Sequence, residues 1–502
     1  MSVGARGATR GAWVALVPCV AFAALALAAC GSDRSAAPMA DAGVNLDDWD
    51  RHVTRPDDAT AAAARAACKF KRGALPPETL GAGVPVDKDI PIETIVVLMQ
   101  ENRSFDSYFS RLTEYTGRKY IDTASPETLV PERVGLISGP MHRLTHADHL
   151  CNLDTNHEWG GTHLEYDDGK MDGFYQANVN FDFPPPNAPP SVSDAARALT
   201  WLDERDIPFY YALAATFAMS DRYFSSLLGP TWPNRDYLYM ATSLGIVDES
   251  FPDVTLYPYP KRDMAIFDEL EKRGVTWNVY ADGLPPEFVS MGPSMVTRYG
   301  RNPLLHTSDF FDQAAAGKLP SVVFVDAFFG KDGPARDDEH PPADVQLGQE
   351  LVSNVVHALF ASPQWPGVAM FFTYDEHGGY YDHVAPPPAC PPDAIEPLLP
   401  ASDTSDPASR HFDRLGVRVP FVLVSPYARR NFVSHVTHDH TSITRFIETK
   451  FRLPALTARD ANADPMLEMF DFANPPFMTP PVLPKPVVDQ TELAYCVKTF
   501  TK

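Results

Sequence analysis

The chain has 502 residues, 44% of them apolar and 21% charged, with a formal net charge of −23. These fractions belong to a folded globular chain long enough to bury a sizeable core. So acidic a balance repels phosphate backbones, which argues against nucleic acid as a partner and favours a zwitterionic or small substrate over an anionic bilayer. The 49 prolines read as stiffened loops, because aliphatic and aromatic clusters recur along the whole chain.

From the amino terminus, Arg6 and Arg10 precede an apolar, small-residue run over 12–29, the layout of a secretory signal. Its end, Leu27-Ala28-Ala29-Cys30, is similar to the lipobox of bacterial lipoproteins, where cleavage falls before the cysteine and that residue is acylated. Such an anchor holds a protein on a membrane without a spanning helix. Gly31 follows, so the aspartate of inner-membrane retention is missing, and an exported outer-membrane lipoprotein of the cell envelope is expected. A plain signal, with a secreted or periplasmic product, is the alternative. Residues 30–91 read as a lipidated tether and irregular lead-in, and 92–502 as one catalytic domain. No later stretch is long and apolar enough to span a bilayer. Beyond Cys30 stand Cys68, Cys151, Cys390 and Cys496. An even number in an oxidising compartment permits two disulfides with three possible pairings, against buried free thiols.

The first strong strand pattern covers 93–99, a continuous apolar run of the kind buried on both faces of a parallel sheet. Similar runs lie at 275–280, 321–325, 368–374 and 419–424, with helical patterns at 264–273, 344–360 and 441–451 between or after them. Alternating strands and helices predict an α/β fold around a mostly parallel central sheet flanked by helices. The proline-rich stretches 181–190 and 386–407 read as long loops.

Polar residues follow these strands: Gln100-Glu101-Asn102 after the first, Asp326 after the third, Asp375-Glu376-His377 after the fourth. In open α/β sheets ligands bind beyond the carboxyl ends of strands, so these residues form a candidate site. Glu101 and Asn102 offer hard oxygen ligands for a divalent ion; the structural alternative is Asn102 as a helix N-cap. Asp375 and Glu376 are adjacent carboxylates that repel unless a cation or solvent relieves them. Gly378-Gly379 lets the backbone turn tightly behind them, and an exposed acidic turn is the alternative. Gly229-Pro230-Thr231-Trp232-Pro233-Asn234-Arg235 is a stiff turn around a hydroxyl, which needs a metal or base to become nucleophilic. A merely structural corner is the other reading. The histidines, among them His157, His340, His383, His438 and His440, follow no zinc spacing.

Taken in order, eight blocks resemble a bacterial phosphoesterase family that contains phospholipases C and respiratory-burst-inhibiting acid phosphatases. They are Gln100-Glu101-Asn102-Arg103-Ser104-Phe105-Asp106, His157-x-Trp159, Met171-Asp172-Gly173-Phe174, Asp221-Arg222-Tyr223-Phe224, Gly229-Pro230-Thr231-x-Pro233-Asn234-Arg235, His340-Pro341, Thr373-Tyr374-Asp375-Glu376-His377-Gly378-Gly379 and Asp439-His440-Thr441-Ser442. The resemblance implies an alkaline-phosphatase-like α/β fold. It also implies one divalent metal on Glu101, Asn102, Asp375, Glu376 and Thr231, with calcium, magnesium or manganese favoured and zinc or iron the alternatives. Thr231 matches the nucleophile, and His157 and His340 match histidines lining the phosphoryl site. Threonine at that position is found in the phospholipase-like members, serine in an acid phosphatase. Many phospholipases C of the family carry a further C-terminal region, and this chain stops soon after its last block, which implies a single catalytic domain. The expected activity is phospholipase C-like cleavage of a phospholipid or small phosphoester. The alternatives are a broad acid phosphatase and, from another class, a non-catalytic cell-envelope binding lipoprotein.

Overall fold

The computed structural model describes residues 48–501 apart from 136–137, 183–193, 250–263, 292–294, 296–297, 301–303, 330–332 and 400–410. The signal, the lipobox and much of the two proline-rich stretches lie outside the described residues.

One eight-stranded sheet organises the chain: β1 Thr94–Gln100, β2 Ala218–Ser220, β3 Trp277–Tyr280, β4 Leu304–Leu305, β5 Val322–Val325, β6 Val368–Tyr374, β7 Phe421–Val424 and β8 Val433–Ser434. Its order is β8-β2-β7-β6-β1-β5-β3-β4. Only β7 runs against its neighbours. β1 and β6 lie at the centre, and every residue of both is buried, as their unbroken apolar sequences require. The α/β expectation is therefore borne out. Within this sheet the strands that sequence periodicity misses are β2, β4 and β8, each two or three residues long and too short to carry a pattern.

Helices cover both faces. The principal ones are α1 Phe105–Phe109, α2 Trp159–Tyr166, α3 Pro208–Thr216, α4 Thr231–Met240, α5 Ile266–Arg273, α6 Val345–Ala361 and α7 His440–Phe451. Val97 pairs with Phe371 and Phe324, so these three side chains share a face. On it, Phe446 of α7 meets Phe371 edge-on at 4.9 Å, and Phe267 of α5 meets Phe324 at 5.4 Å. The opposite face carries Phe372, stacked with Tyr210 of α3 at 5.1 Å. α5 stops at Gly274, whose φ of 70° closes the C-cap that its sequence predicts.

Residues 48–91 include a helix, Asp58–Ala66, capped by Asp57. The four cysteines pair as Cys68–Cys390 and Cys151–Cys496. The first bond fastens the lead-in to the proline-rich segment after the Gly378-Gly379 turn.

A buried charge cluster clamps that turn to α1. Arg418, wholly buried, donates to both oxygens of Asp382 at 2.9 and 3.1 Å and lies 3.3 Å from Asp106. His383 Nδ1 lies 2.6 Å from Asp106 and Nε2 3.0 Å from Asp122. Burial pushes the His383 imidazole down, but Asp106 overrides this and lifts it to about 9. The folded state thus keeps a proton that the unfolded chain releases near 6.5. This contribution to stability is complete below pH 6.5 and is lost as pH rises through 9. The urea midpoint should therefore fall between those limits, and His383→Gln should flatten the fall. An unchanged slope in the variant would remove His383 from that role.

Candidate active site

The site is set by the register of the two central strands. Gln100 pairs with Tyr374 at the end of the β1–β6 ladder, so Glu101 and Asn102 leave the sheet beside Asp375 and Glu376. The chain continues in step: Asp375 N–H donates to Gln100 O at 3.0 Å, and Arg103 N–H to Glu376 O at 3.1 Å. Asn102 is not an N-cap. Ser104 caps α1, while Asn102 is fully buried with φ of 61° and donates its N–H to Asp375 Oδ1 at 3.1 Å. Nor do Asp375 and Glu376 form an exposed turn; both are fully buried. Gly378 and Gly379 carry φ of 63° and 70°. A Cβ on Gly378 would stand 2.4 Å from Asn102 O, and one on Gly379 2.7 Å from Asn156 O. Both glycines are thus required by conformation and by close approach.

Thr231 opens α4, directly after Pro230, and is 3% exposed. The turn before it is tied internally: Asn234 Oδ1 accepts from Ser226 N–H and Leu227 N–H, and its Nδ2 donates to Gly229 O and Pro230 O. Gly229 lies against the Trp159 ring, two residues from His157. Trp232 N–H, in the first turn of the helix, points to Glu249 Oε1 at 3.4 Å. One turn on, on the same helical face as Thr231, the wholly buried Arg235 reaches the strand ends. Its Nε donates to Asp375 Oδ2 at 3.1 Å, and the guanidinium lies 3.7 Å from Glu101 and 3.9 Å from Asp326.

His157 joins this edge through Asn102, whose amide nitrogen is 3.3 Å from the ring. Its Nδ1 donates to Thr155 O at 2.7 Å. His340 stands perpendicular to it, ring centres 5.8 Å apart. Asp154, His157 and His340 each bring one possible metal-ligand atom within 4.8 Å of the others. Glu101, Asp375 and Glu376 share the edge without drawing into so tight a cluster. Asp375 is held by Asn102 and Arg235, and Glu376 Oε2 by Gly378 N–H at 2.6 Å.

Charge is confined here. Burial, reinforced by Asp375 and Asp338, pushes Glu101 well above the usual carboxylate range. Burial also raises Glu376, offset by His157 and reinforced by Asp375, to about 8. Burial alone would push His157 down, but Glu376, Asp154 and Glu249 lift it to about 10. His340 is lowered by burial, against the pull of Asp154. Acidic groups crowded without enough positive charge are where a cation would bind. The donors fit one: Asn102 Oδ1 and Glu376 Oε1 are buried oxygens with no hydrogen-bond partner, and both are hard ligands.

Sequence reasoning assigned no role to several residues that hold this arrangement. Arg235 lies four residues after Thr231, Asp154 three before His157 and Asp338 two before His340, so each had a local signal. Glu339, adjacent to His340, accepts hydrogen bonds from the Tyr108, Tyr210 and Tyr374 hydroxyls and fixes that loop. His377, beside Glu376, is held by Glu165 at 2.7 Å. His440 Nε2 donates to Asp375 O at 2.6 Å. Glu249 sits in a segment with no pattern to betray it.

Comparison with known proteins identifies the class and then the family. Phospholipase C B of Mycobacterium tuberculosis is 32% identical over 487 residues, covering 88% of this chain and 89% of that protein. Non-specific phospholipase C6 of Arabidopsis thaliana is 32% identical over 385 residues, covering 74% and 70%. A solved alkaline phosphatase superfamily protein from Vibrio parahaemolyticus overlays with a TM-score of 0.38 at 10% identity, covering 81% and 78%; an overlay that loose carries no weight for chemistry. The chain is a phosphoric-ester hydrolase. It belongs to the Phosphoesterase family, whose profile matches residues 92–454.

Proposed function

We propose that this enzyme cleaves the headgroup phosphoester of a phospholipid, as a phospholipase C, with Thr231 as nucleophile and one divalent cation as cofactor. The observation that carries the reading is the parallel register of β1 and β6, which brings Glu101 and Asn102 beside Asp375 and Glu376, with α4 anchored on that pair through Arg235. Glu101, Asn102, Asp375, Glu376 and Thr231 would hold the ion. Their oxygens favour calcium, magnesium or manganese, and an imidazole from the Asp154 cluster would admit zinc or iron. When bound, the cation supplies Lewis-acid stabilisation of phosphoryl charge and favours the ionised hydroxyl.

The residues of the chain do the rest. The Thr231 hydroxyl passes its proton to water as its oxygen bonds to phosphorus, while the bond from phosphorus to the departing alkoxide breaks. His157, whose charged form Asp154 and Glu249 favour as well as Glu376, supplies the proton that this alkoxide takes up. Water then attacks phosphorus, the bond to Thr231 breaks, and the phosphorylated headgroup leaves. Arg235 keeps a fixed positive charge among Asp375, Glu101 and Asp326. In the hydrolytic step His340, lowered by burial, takes the proton of the attacking water, and the freed Thr231 oxygen regains one from solvent.

The direct test is hydrolysis of phosphatidylcholine and of an aryl phosphomonoester, each with and without chelator. Phosphatidylcholine turnover lost to chelator and restored by a divalent ion is expected; preference for the monoester would mark an acid phosphatase instead. In the same assay Glu376→Gln should raise the metal concentration for half-maximal activity at least about tenfold, since one carboxylate ligand is gone. An unchanged requirement would remove Glu376 from the ligand set.

The amino-terminal pattern supports export and a lipid anchor at Cys30 in the cell envelope, and two disulfides accord with an oxidising compartment. Among the described residues no helix is long and apolar enough to cross a membrane. Cys30→Ala should move the protein from the membrane fraction to the soluble one; continued membrane retention would exclude that anchor.

A further inference from the structure

A second set of ligand-type side chains lies outside the phosphoryl site. His438 follows β8 and is 1% exposed. Its backbone is fixed on both sides, N–H to Arg222 O at 3.0 Å and C=O from Phe224 N–H at 2.9 Å. Nδ1 has no partner, and Nε2 makes no hydrogen bond of good geometry. Nε2 nonetheless lies 3.3 Å from Glu468 Oε1 and 3.7 Å from Asp464 Oδ1, and one atom of each residue lies within 4.8 Å of the other two. Ligands sharing one transition ion at about 2.0–2.2 Å stand roughly 3–3.5 Å apart, close to this spacing.

The carboxylates are steered into place. Ser434 Oγ of β8 donates to Glu468 Oε1 at 2.7 Å, and Met466 N–H to Asp464 Oδ1 at 2.9 Å. Arg65 approaches the other Asp464 oxygen at 3.5 Å. Both carboxylate side chains keep 30% exposure, so the position is open to water on one side, as an ion with three protein ligands requires. An imidazole with two carboxylates suits zinc or manganese better than calcium. We infer that His438, Asp464 and Glu468 form a second divalent-metal site, separate from the phosphoryl site, that fastens the 464–468 turn to the segment entering α7. The inference does not depend on the proposed mechanism.

The competing arrangement is a protonated His438 ion-paired with both acids. Metal-stripped full-length protein, loaded with zinc or manganese chloride and desalted, would be assayed for metal per chain by plasma mass spectrometry. Wild type should hold one equivalent more than His438→Gln and Glu468→Gln. Glu376→Gln should keep this equivalent, and Glu376→Gln combined with Glu468→Gln should lose it. Equal metal in wild type, His438→Gln and Glu468→Gln would overturn the proposal in favour of the ion pair. Should His438→Gln not fold, the partly exposed Glu468→Gln decides alone. A loss seen with Glu376→Gln but with neither of the others bears on the phosphoryl site and also overturns the second one.

Discussion

Thr231→Ala is expected to lose turnover by at least about a thousandfold while keeping its fold and, in excess metal, an ion on its four remaining ligands. The hydroxyl sits at the first residue of α4, in a turn held by four hydrogen bonds of Asn234, and none of these involves the Thr231 side chain. Alanine therefore removes the attacking oxygen without removing what shapes the turn. It is also a good helix former, so α4 itself should not suffer. Thr231→Ser restores the oxygen, loses only a methyl, and should recover much of the rate. Circular dichroism and metal analysis separate loss of chemistry from loss of structure. Residual activity within tenfold of wild type would remove Thr231 from its role, and equal losses in both variants would assign it a packing function.

The second large effect falls on Arg235. Its guanidinium is wholly buried and lies 3.1 Å from Asp375, 3.7 Å from Glu101 and 3.9 Å from Asp326. These acids, after burial has opposed it, hold the arginine well above its ordinary range. Arg235→Met keeps much of the volume and deletes the positive charge that Asp375, Glu101 and Asp326 share. Breaking a buried ionic cluster by removing one partner costs about 3–5 kcal/mol. The carboxylates would take up protons to relieve the repulsion, and protonated acids are poor ligands, so metal affinity should fall together with stability. Arg235→Lys preserves the charge but not the fork, and should land between wild type and Arg235→Met. Urea unfolding of the three proteins tests this. A loss under about 1 kcal/mol in Arg235→Met, no more than an exposed pair contributes, would mean that the acids do not depend on the arginine.

Much of this site was legible because it lies on strong strands. β1 and β6 are unbroken apolar runs, so their ends, and hence Glu101, Asn102, Asp375 and Glu376, could be located before any coordinates. Their convergence was legible only as an expectation for strand ends in general; the actual pairing of Gln100 with Tyr374 is a long-range register that no local pattern encodes. The motif marks the place of Arg235 but not its role, because a buried arginine looks like any surface arginine until its three acids are in place. Glu339 was hidden for the same reason, since its three tyrosine partners come from α1, α3 and β6. The run at 419–424 announces β7 but not its antiparallel direction, and the short β2, β4 and β8 depend on tertiary packing, not on propensity. The disulfide pairing was open by arithmetic and is closed by the fold.

Chemical quenching during turnover tests the central claim most directly. Enzyme mixed with excess phosphatidylcholine, quenched in acid within the first turnovers and digested, should yield the peptide containing Thr231 with phosphocholine on its hydroxyl, and Thr231→Ala should yield none. A modified histidine in its place, or release of product with no adduct at any residue under conditions that capture a burst, would contradict attack by Thr231.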